Sequence, residues 1–471
     1  MGFFGKTHRF VSFLKSAESN QAKAQNRIGV LYQLGYGVDI DYDVALSWYL
    51  KAAEQGQLDA QYNIGAFCDH GYGIGVDYNA ALSWYLKAAE QGQLNAQYNI
   101  GVLYLNGKGV DIDYNAALSW YLKAAEKGHL DAQYSIGLLY YNGYGVNVNY
   151  GVALSWYLKA AEQGHSLAQY NIGVFYNRGY GVDVNYDVAL SWYLKAAERG
   201  QLNAQYNIGV FYNLGYGVNS NYSVALSWYL KAAKQGHSLA QYNIGTLYDH
   251  GYGVDVDYNA ALSWYLKAAE KGQLNAQYKI GVLYHNGEGV DIDYGVALSW
   301  YLKAAEQGHS LAQYNIGVFY NRGYGVDVDY GVALSWYLKA AEQGHLDAKT
   351  DFVALYGCIN GVDQEYNEAR ELFTKAAEGR NEGNESKPEL ELSELKREAR
   401  ESKEQIAILL AKLAMKDSEI ENFTINANAA VPQIIHTPST GIVEAGLAQG
   451  EKDEEIQKQN RRKEPLKFFQ L

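Results

Sequence analysis

The segment AQYNIGVLYLNGKGVDIDYNAALSWYLKAAEKG, from Ala96 to Gly128, decides the fold, because close copies of it recur every 36 residues from Ala24 to Gly379. All nine tryptophans follow the same period: Trp48, Trp84, Trp120, Trp156, Trp192, Trp228, Trp264, Trp300 and Trp336. A fixed period of this length is the sequence signature of a repeat array. The chain is therefore predicted to consist of about ten similar structural units.

The first half of each unit predicts a helix. Its apolar residues Ala96, Ile100, Leu103 and Tyr104 follow the spacing of one helical face. The segment 106–109, Asn-Gly-Lys-Gly, should end this helix, because glycine adopts the positive φ that closes a helix C-terminus. An N-cap is predicted either directly before the unit's first alanine or two residues before it, at Asp59, Asn95, Asp131, Ser166, Ser238 and Ser310.

The second half predicts a helix from Tyr114 to Glu126, with Asp113 as its N-cap and Gly128 as the break before the next unit. Each unit is thus a helix hairpin. One hairpin cannot bury its apolar face alone, but stacked hairpins bury a continuous core.

A glycine recurs in the middle of each first helix, where it costs about 1 kcal/mol relative to alanine. Close packing of an aromatic ring, such as that of Trp120, against bare backbone would offset this cost. These glycines and the tryptophans are therefore interpreted as structural residues: Gly101, Gly137, Gly173, Trp84, Trp120 and Trp156.

The pattern Q-Y-N-x-G-x-x-Y-x-x-G-x-G-V, followed by D-Y-x-x-A-x-x-W-Y-x-K-A-A-E-x-G, closely resembles the Sel1-like repeat, a relative of the tetratricopeptide repeat. The resemblance implies an all-α, right-handed superhelical solenoid of about ten hairpins. It also implies a scaffold or adaptor role in signalling, protein quality control or host–microbe contact. One departure is that Asp111, Asn147 or Asp183 stands where the family often has proline.

The repeat pattern and composition divide the chain into five segments: a partial-repeat cap helix (1–23), the solenoid (24–379), a linker (380–388), an amphipathic helix (389–423) and a disordered tail (424–471). Apolar residues between 392 and 423 fall at alternating steps of three and four. This spacing fits either a helix folded back on the last repeat or a coiled coil that forms a homodimer, and the pattern leaves both alternatives open.

Composition excludes several classes of partner. The net charge of −13 disfavours nucleic acid, and no apolar run is long enough to span a membrane. The two cysteines, Cys68 and Cys358, are about eight repeats apart and should not pair. A reducing compartment, the cytoplasm, is therefore predicted.

No catalytic, cofactor-binding or metal-binding residues are predicted. The recurrent Gly-x-Gly, such as Gly143–Gly145, follows a helix, whereas a phosphate loop follows a strand. The recurrent histidines occupy one corner of successive repeats, too far apart to share a metal ion: His129, His165, His237, His309 and His345. We therefore expect that the protein is not an enzyme.

Side chains that change from repeat to repeat on a constant frame are the candidates for protein binding. They lie in two adjacent columns near the end of the first helix: Tyr141, Asn177, Arg178, Asn213, Asp249, His250, His285, Asn321 and Arg322. The alternative is that these positions are merely exposed and drifting. A row of loop tyrosines, such as Tyr72 and Tyr144, either contacts a partner or packs over the loop.

The predicted function is a non-catalytic protein-binding scaffold with an unidentified protein partner. One alternative is a regulatory adaptor subunit of an enzyme complex, of the protein-degradation or cell-wall-synthesis type that the resemblance implies. A further alternative is a hydrolase of cell-wall-like substrates.

Overall fold

The computed structural model describes Leu14, Ala17, Glu18 and residues 20–360, with side chains up to residue 356. Most of the predicted cap segment lies outside these residues, as do the linker, the helix 389–423 and the tail. The chain divides into two compact units. The first comprises the residues up to Leu247 together with Tyr252–Val254, and the second comprises Tyr248–Gly251 and the residues from Asp255 onward.

The described residues form 19 helices and no strand, and successive helices pair into hairpins of about 36 residues. The all-α fold and the hairpin unit are thus confirmed. In chain order, α1 to α19 are Ala22–Leu34, Tyr42–Glu54, Leu58–His70, Tyr78–Glu90, Leu94–Asn106, Tyr114–Glu126, Leu130–Asn142, Tyr150–Glu162, Ser166–Arg178, Tyr186–Glu198, Leu202–Leu214, Tyr222–Lys234, Ser238–His250, Tyr258–Ala269, Leu274–Asn286, Tyr294–Glu306, Ser310–Arg322, Tyr330–Glu342 and Leu346–Asn360.

The third hairpin, α5 and α6, shows how local sequence sets the helix ends. Gly107 follows α5 with φ of 67°, and its N–H donates to the carbonyl of Leu103. The Asp113 carboxylate accepts hydrogen bonds from the N–H groups of Asn115 and Ala116 at the start of α6. The predicted bounds of the second helix, its aspartate cap and the glycine stop of the first helix are therefore confirmed.

The first helices begin earlier than predicted. Gln93 caps α5, because its Oε1 accepts a hydrogen bond from the N–H of Ala96 at 2.7 Å. Gly92, with φ of 92°, turns the chain just before this cap. His129 does the same for α7 through Nδ1. Longer side chains, placed one or two residues earlier, thus take the capping role from the residues predicted for it: Asp59, Asn95, Asp131, Ser166, Ser238 and Ser310 are all helical.

A buried tyrosine of the second helix fills the centre of each hairpin. A Cβ atom added to Gly101 would lie 2.5 Å from Cε1 of Tyr121, whose side chain is 1% exposed. The aromatic neighbour of the glycine is therefore Tyr121, and the prediction of Trp120 was wrong. The reason is orientation, since Trp120 instead packs against a buried cluster that contains Tyr85 of the preceding hairpin and Leu103 of its own first helix.

Trp120 therefore contributes to a core that neighbouring hairpins share. A lysine covers one face of each tryptophan. The Nζ atom of Lys123 lies 3.7 Å from the ring centroid of Trp120. The same pair occurs in all nine hairpins, at distances from 3.6 to 4.4 Å. An ammonium group over an indole face is an attractive cation–π geometry.

Buried glutamines form a further connection that the sequence analysis missed. Gln133 is 5% exposed, and its Nε2 donates to the carbonyl of Ala125 at the end of the preceding helix, at 3.1 Å. Its Oε1 accepts a hydrogen bond from Gln163, 30 residues later, at 3.3 Å. The side chain thus links three successive helices. An apolar-pattern analysis does not detect it, because glutamine is a polar residue.

Candidate functional site

One of the two variable columns faces the buried tyrosines, and we call it the tyrosine-facing column. It consists of half-buried residues at 36-residue spacing: Gln33, Asp69, Leu105, Tyr141, Asn177, Asn213, Asp249, His285 and Asn321. The hydroxyl of Tyr49 donates to Gln33 at 2.6 Å, and that of Tyr85 donates to Asp69 at 3.3 Å. Gln33 and Asp69 therefore supply hydrogen-bond partners to core hydroxyls.

A third position completes this arrangement. In the next first helix, Asn99 donates through Nδ2 to the hydroxyl of Tyr85 at 3.1 Å. Burial raises the pKa of Tyr85 well above its ordinary value, Asp69 raises it further, and the Asn99 amide opposes the rise. A variable side chain, a buried phenol and the next hairpin's amide thus meet at one point.

Asp249 in the second unit forms a similar arrangement, in which a lysine replaces the asparagine and makes an ion pair. Its carboxylate accepts hydrogen bonds from the Tyr265 hydroxyl and from Nζ of Lys279, both at 3.0 Å. The Asp249 side chain is 8% exposed and that of Lys279 is 25% exposed. Lys279 stands where most hairpins have asparagine, so the lysine compensates a carboxylate that would otherwise be buried beside a neutral amide.

The second variable column is directed to solvent, and we call it the exposed column. All its members except the half-buried Asn142 are exposed: Leu34, His70, Asn106, Asn142, Arg178, Leu214, His250, Asn286 and Arg322. Among the predicted binding residues, Arg178, His250 and Arg322 therefore lie on accessible surface. The other six are half-buried in the tyrosine-facing column.

The loop tyrosines pack against the preceding hairpin. The ring of Tyr72 stacks on that of Tyr42 with centroids 5.3 Å apart, and Tyr144 stacks on Tyr114 at 5.1 Å. Of the two alternatives that the sequence left open, these contacts favour packing over the loop.

The recurrent histidines cap helices. His129 accepts the N–H of Ala132 through Nδ1 at 3.2 Å, its Nε2 lies 3.1 Å from Oδ1 of Asn95, and its ring stacks on Tyr98. These contacts hold both ring nitrogens in structural roles. Among the described residues, no group of three or more histidine, cysteine, aspartate or glutamate side chains could hold a metal ion.

The repeats match one protein family along most of the chain. Ten segments match the family model of the Sel1 repeat: residues 22–57, 58–93, 94–129, 130–165, 166–201, 202–237, 238–273, 274–309, 310–345 and 354–381. The chain belongs to the Sel1 repeat family. Proteins of this family are generally protein-interaction scaffolds, and their solenoids are typically non-catalytic.

Two solved structures of Sel1 repeat proteins are similar to this chain. One is c5321, a protective antigen present in uropathogenic Escherichia coli strains, with 30% sequence identity and a TM-score of 0.59; the match covers 92% of this chain and 99% of c5321. The other is a Sel1 repeat protein from Oxalobacter formigenes, with 33% identity and a TM-score of 0.54, over 66% of this chain and 90% of that one. No curated protein matches significantly.

Between residues 22 and 360, no helix combines the length and apolar character needed to cross a bilayer.

The histidine caps predict an acid-sensitive Sel1 array. Burial lowers the pKa of His129, an effect that nearby Asp131 opposes, and burial also lowers the pKa of His309. The unfolded chain therefore takes up protons more readily. The stability that these caps provide is complete above the ordinary histidine pKa of about 6.5, and it declines as pH falls towards the lower folded pKa.

The measurement is the thermal midpoint at about pH 7.5 and about pH 5, compared with that of the double variant H129Q/H309Q. Glutamine already caps other Sel1 repeats, through Oε1 of Gln93 for example, and it does not titrate. The variant should lose less stability on acidification, by up to about 1 kcal/mol for each cap. His165 stays unchanged, because its Nε2 lies 3.1 Å from Asp131, so replacing it would remove a contact with a carboxylate as well as a cap. An equal acid loss in both proteins would contradict the prediction.

Proposed function

We propose that this Sel1 repeat protein is a non-catalytic scaffold that binds a protein partner through the exposed column. The observation that carries the proposal is the contrast between positions. The glycines, tyrosines, tryptophans and glutamines of the frame recur at every 36 residues, whereas the exposed column changes from Leu34 to His70, Asn106 and Arg178. Different side chains on a constant frame offer a partner a distinctive surface.

Arg178 is the strongest candidate anchor in the first unit, and Arg322 occupies the same place in the second. Both side chains are exposed, and a guanidinium group binds a carboxylate through two parallel hydrogen bonds. The chain as a whole carries a charge of −13, so these arginines are exposed cations on an acidic protein. A partner that contributes carboxylates at matched positions fits this pattern.

The six predicted binding residues of the tyrosine-facing column have a supporting part in this proposal. Asp249, His285 and Asn321 each hydrogen-bond or contact a buried tyrosine hydroxyl, which fixes their orientation. Their exposed edges contribute to the surface, while their inner atoms stabilise the frame. Substituting them changes folding and binding together, so a loss of partner binding at these positions would not by itself identify a contact residue.

Site-specific photo-crosslinking tests the scaffold proposal. A benzophenone amino acid replaces His70, Arg178 or Leu214 in the exposed column, and matched controls replace Ser155 or Ser191, which are exposed on second helices. We expect the three column positions to crosslink one identified protein that the serine positions do not. That protein, once purified, should bind the Arg178→Ala variant about tenfold more weakly than the Ser191→Ala variant. If column and serine positions capture the same proteins equally, the exposed column is not the binding surface.

A homodimer through residues 392–423 is a separate proposal that rests on the heptad spacing. Light scattering of the full chain beside a chain that ends at Gly379 distinguishes the coiled coil from a helix folded back on the last repeat. A cytoplasmic location also stays a proposal. It is supported by Cys68, whose thiol is free and buried.

A further inference from the structure

A cavity of about 250 Å³ lies in the first unit, where the sixth hairpin, α11 and α12, meets α13. The residues that matter for its chemistry are Asn213, Tyr222, Tyr229, Asn243, Leu247 and Tyr252. The two tyrosine rings Tyr222 and Tyr252 stack at 5.1 Å. None of the lining side chains carries a formal charge at neutral pH.

The equivalent place two hairpins earlier is occupied by the protein's own phenol. Tyr141 corresponds to Asn213, 72 residues before it. Its ring centroid lies 5.7 Å from those of Tyr150 and Phe175 and 5.8 Å from that of Tyr180. These three residues correspond to Tyr222, Leu247 and Tyr252. The frame therefore accommodates an aromatic ring at this point.

The eighth hairpin, in the second unit, gives an independent example with a different ring. His285 occupies the position of Tyr141, and its ring lies 5.0 Å from Phe319 and 5.8 Å from Tyr294. Its Nδ1 lies 3.4 Å from the hydroxyl of the buried Tyr301. The site thus accepts an aromatic ring whose polar atom contacts the buried tyrosine.

The sixth hairpin lacks such a ring, because both large residues are replaced. Asn213 stands for the tyrosine and Leu247 stands for the phenylalanine at position 175, which leaves the space open. The hydroxyl of Tyr229 is buried there, and no group in the described part of the chain meets hydrogen-bond geometry with it. Burial raises the pKa of Tyr229, and the neighbouring Asn243 amide opposes part of that rise. A ligand that supplied a polar atom at this point would satisfy the hydroxyl.

We propose that this cavity, the ring pocket, binds a tyrosine side chain of a protein partner, so that the partner's phenol occupies the place that Tyr141 fills in the fourth hairpin. The proposal rests on the proposed scaffold function. The rings of Tyr222 and Tyr252 and the side chain of Leu247 provide apolar contact area, and Asn213, Asn243 and Tyr229 provide hydrogen-bonding groups. An uncharged ring with one hydroxyl matches this lining, and tyrosine offers large contact area at low conformational entropy cost.

The probe is p-cresol, which is the side chain of tyrosine, and its binding to the purified full chain is followed by ligand-observed NMR and calorimetry. Toluene serves as the matched probe without a hydroxyl. We expect p-cresol to bind at one site and toluene to bind about tenfold more weakly, because only the phenol satisfies Tyr229. Equal affinities would overturn the assignment of a polar end to the ring pocket.

Two variants test the location in opposite directions. Asn213→Tyr copies the fourth hairpin into the sixth and should abolish p-cresol binding. The double variant Y141N/F175L places asparagine and leucine at the positions equivalent to Asn213 and Leu247, and it should open a second p-cresol site there. Circular dichroism and the thermal midpoint establish that each variant is folded. The proposal is overturned if the folded Asn213→Tyr variant still binds p-cresol as the parent does. It is also overturned if the folded Y141N/F175L variant still has only one p-cresol site.

These outcomes are separate from those of the scaffold proposal, because p-cresol binding needs no partner protein. If the exposed column crosslinks a partner but p-cresol does not bind, the scaffold proposal stands and the ring pocket proposal fails. If p-cresol binds at Asn213 but no column position captures a partner, the scaffold proposal fails, and with it the assignment of the phenol to a partner protein.

Discussion

Replacing Gln133 by glutamate should lower the free energy of unfolding by about 3 kcal/mol, since an uncompensated charge would be buried. Gln133 is 5% exposed and donates to the carbonyl of Ala125. A carboxylate there has no proton to donate and places negative charge beside that carbonyl oxygen. The partner that follows, Gln163, is neutral and supplies one N–H group but no countercharge.

Gln97→Glu is the matched control. Gln97 is equally buried and donates to Ala89 in the same way, but Lys127 occupies the position that Gln163 holds one repeat later. A lysine can move to the new carboxylate, so this variant should lose clearly less stability. Urea unfolding of both variants and the parent measures the difference. Equal losses would show that the burial cost does not depend on the neighbouring charge.

The stability that Gln133→Glu loses should depend on pH. Burial raises the pKa of a glutamate, so the carboxyl group introduced by Gln133→Glu should be ionised above its folded pKa and protonated below it. The stability deficit of Gln133→Glu relative to the parent is therefore largest at neutral pH. It should shrink as pH falls to about 5, provided that each comparison is made at one pH.

Gly101→Ala should lower the free energy of unfolding by about 1–3 kcal/mol, although alanine is the better helix former. The added Cβ would lie 2.5 and 2.6 Å from two ring carbons of Tyr121. That ring is buried and enclosed by the hairpin, so it cannot move aside without displacing its neighbours. Overpacking should therefore exceed the gain in helix propensity, which is about 1 kcal/mol.

Gly151→Ala provides the control with the opposite sign. Gly151 lies in the first turn of α8, and an added Cβ would meet only Oδ1 of Asn149, at 3.5 Å. This substitution should raise stability by up to about 1 kcal/mol. Thermal unfolding shows whether each variant gains or loses stability, and hydrogen exchange of the α5 and α8 peptides shows which helix the change affects. A stabilising Gly101→Ala would show that Tyr121 can move away from the first helix.

Sequence determined the features that depend on residues close together in the chain. The 36-residue period, the bounds Tyr114–Glu126, the Asp113 cap and the Gly107 stop were all predicted, because each follows from helical spacing or a hydrogen bond within one turn. The existence of a solenoid follows as well, since a repeated amphipathic hairpin can bury its apolar face only against its own copies.

Tertiary structure alone decided which side chain fills which place. Tyr121, rather than Trp120, lies against Gly101, because adjacent helix positions point in different directions and hydrophobicity does not tell them apart. Gln93 and His129 took the capping role because, after a turn that glycine sets, their side chains reach forward to the N–H group three residues later. The hydrogen bond between Gln163 and Gln133 and the contacts of Tyr141 with Phe175 and Tyr180 join residues 30 to 39 apart. Local pattern constrains neither distance nor orientation at that separation, so the frame was predictable from the sequence and its ring pocket was not.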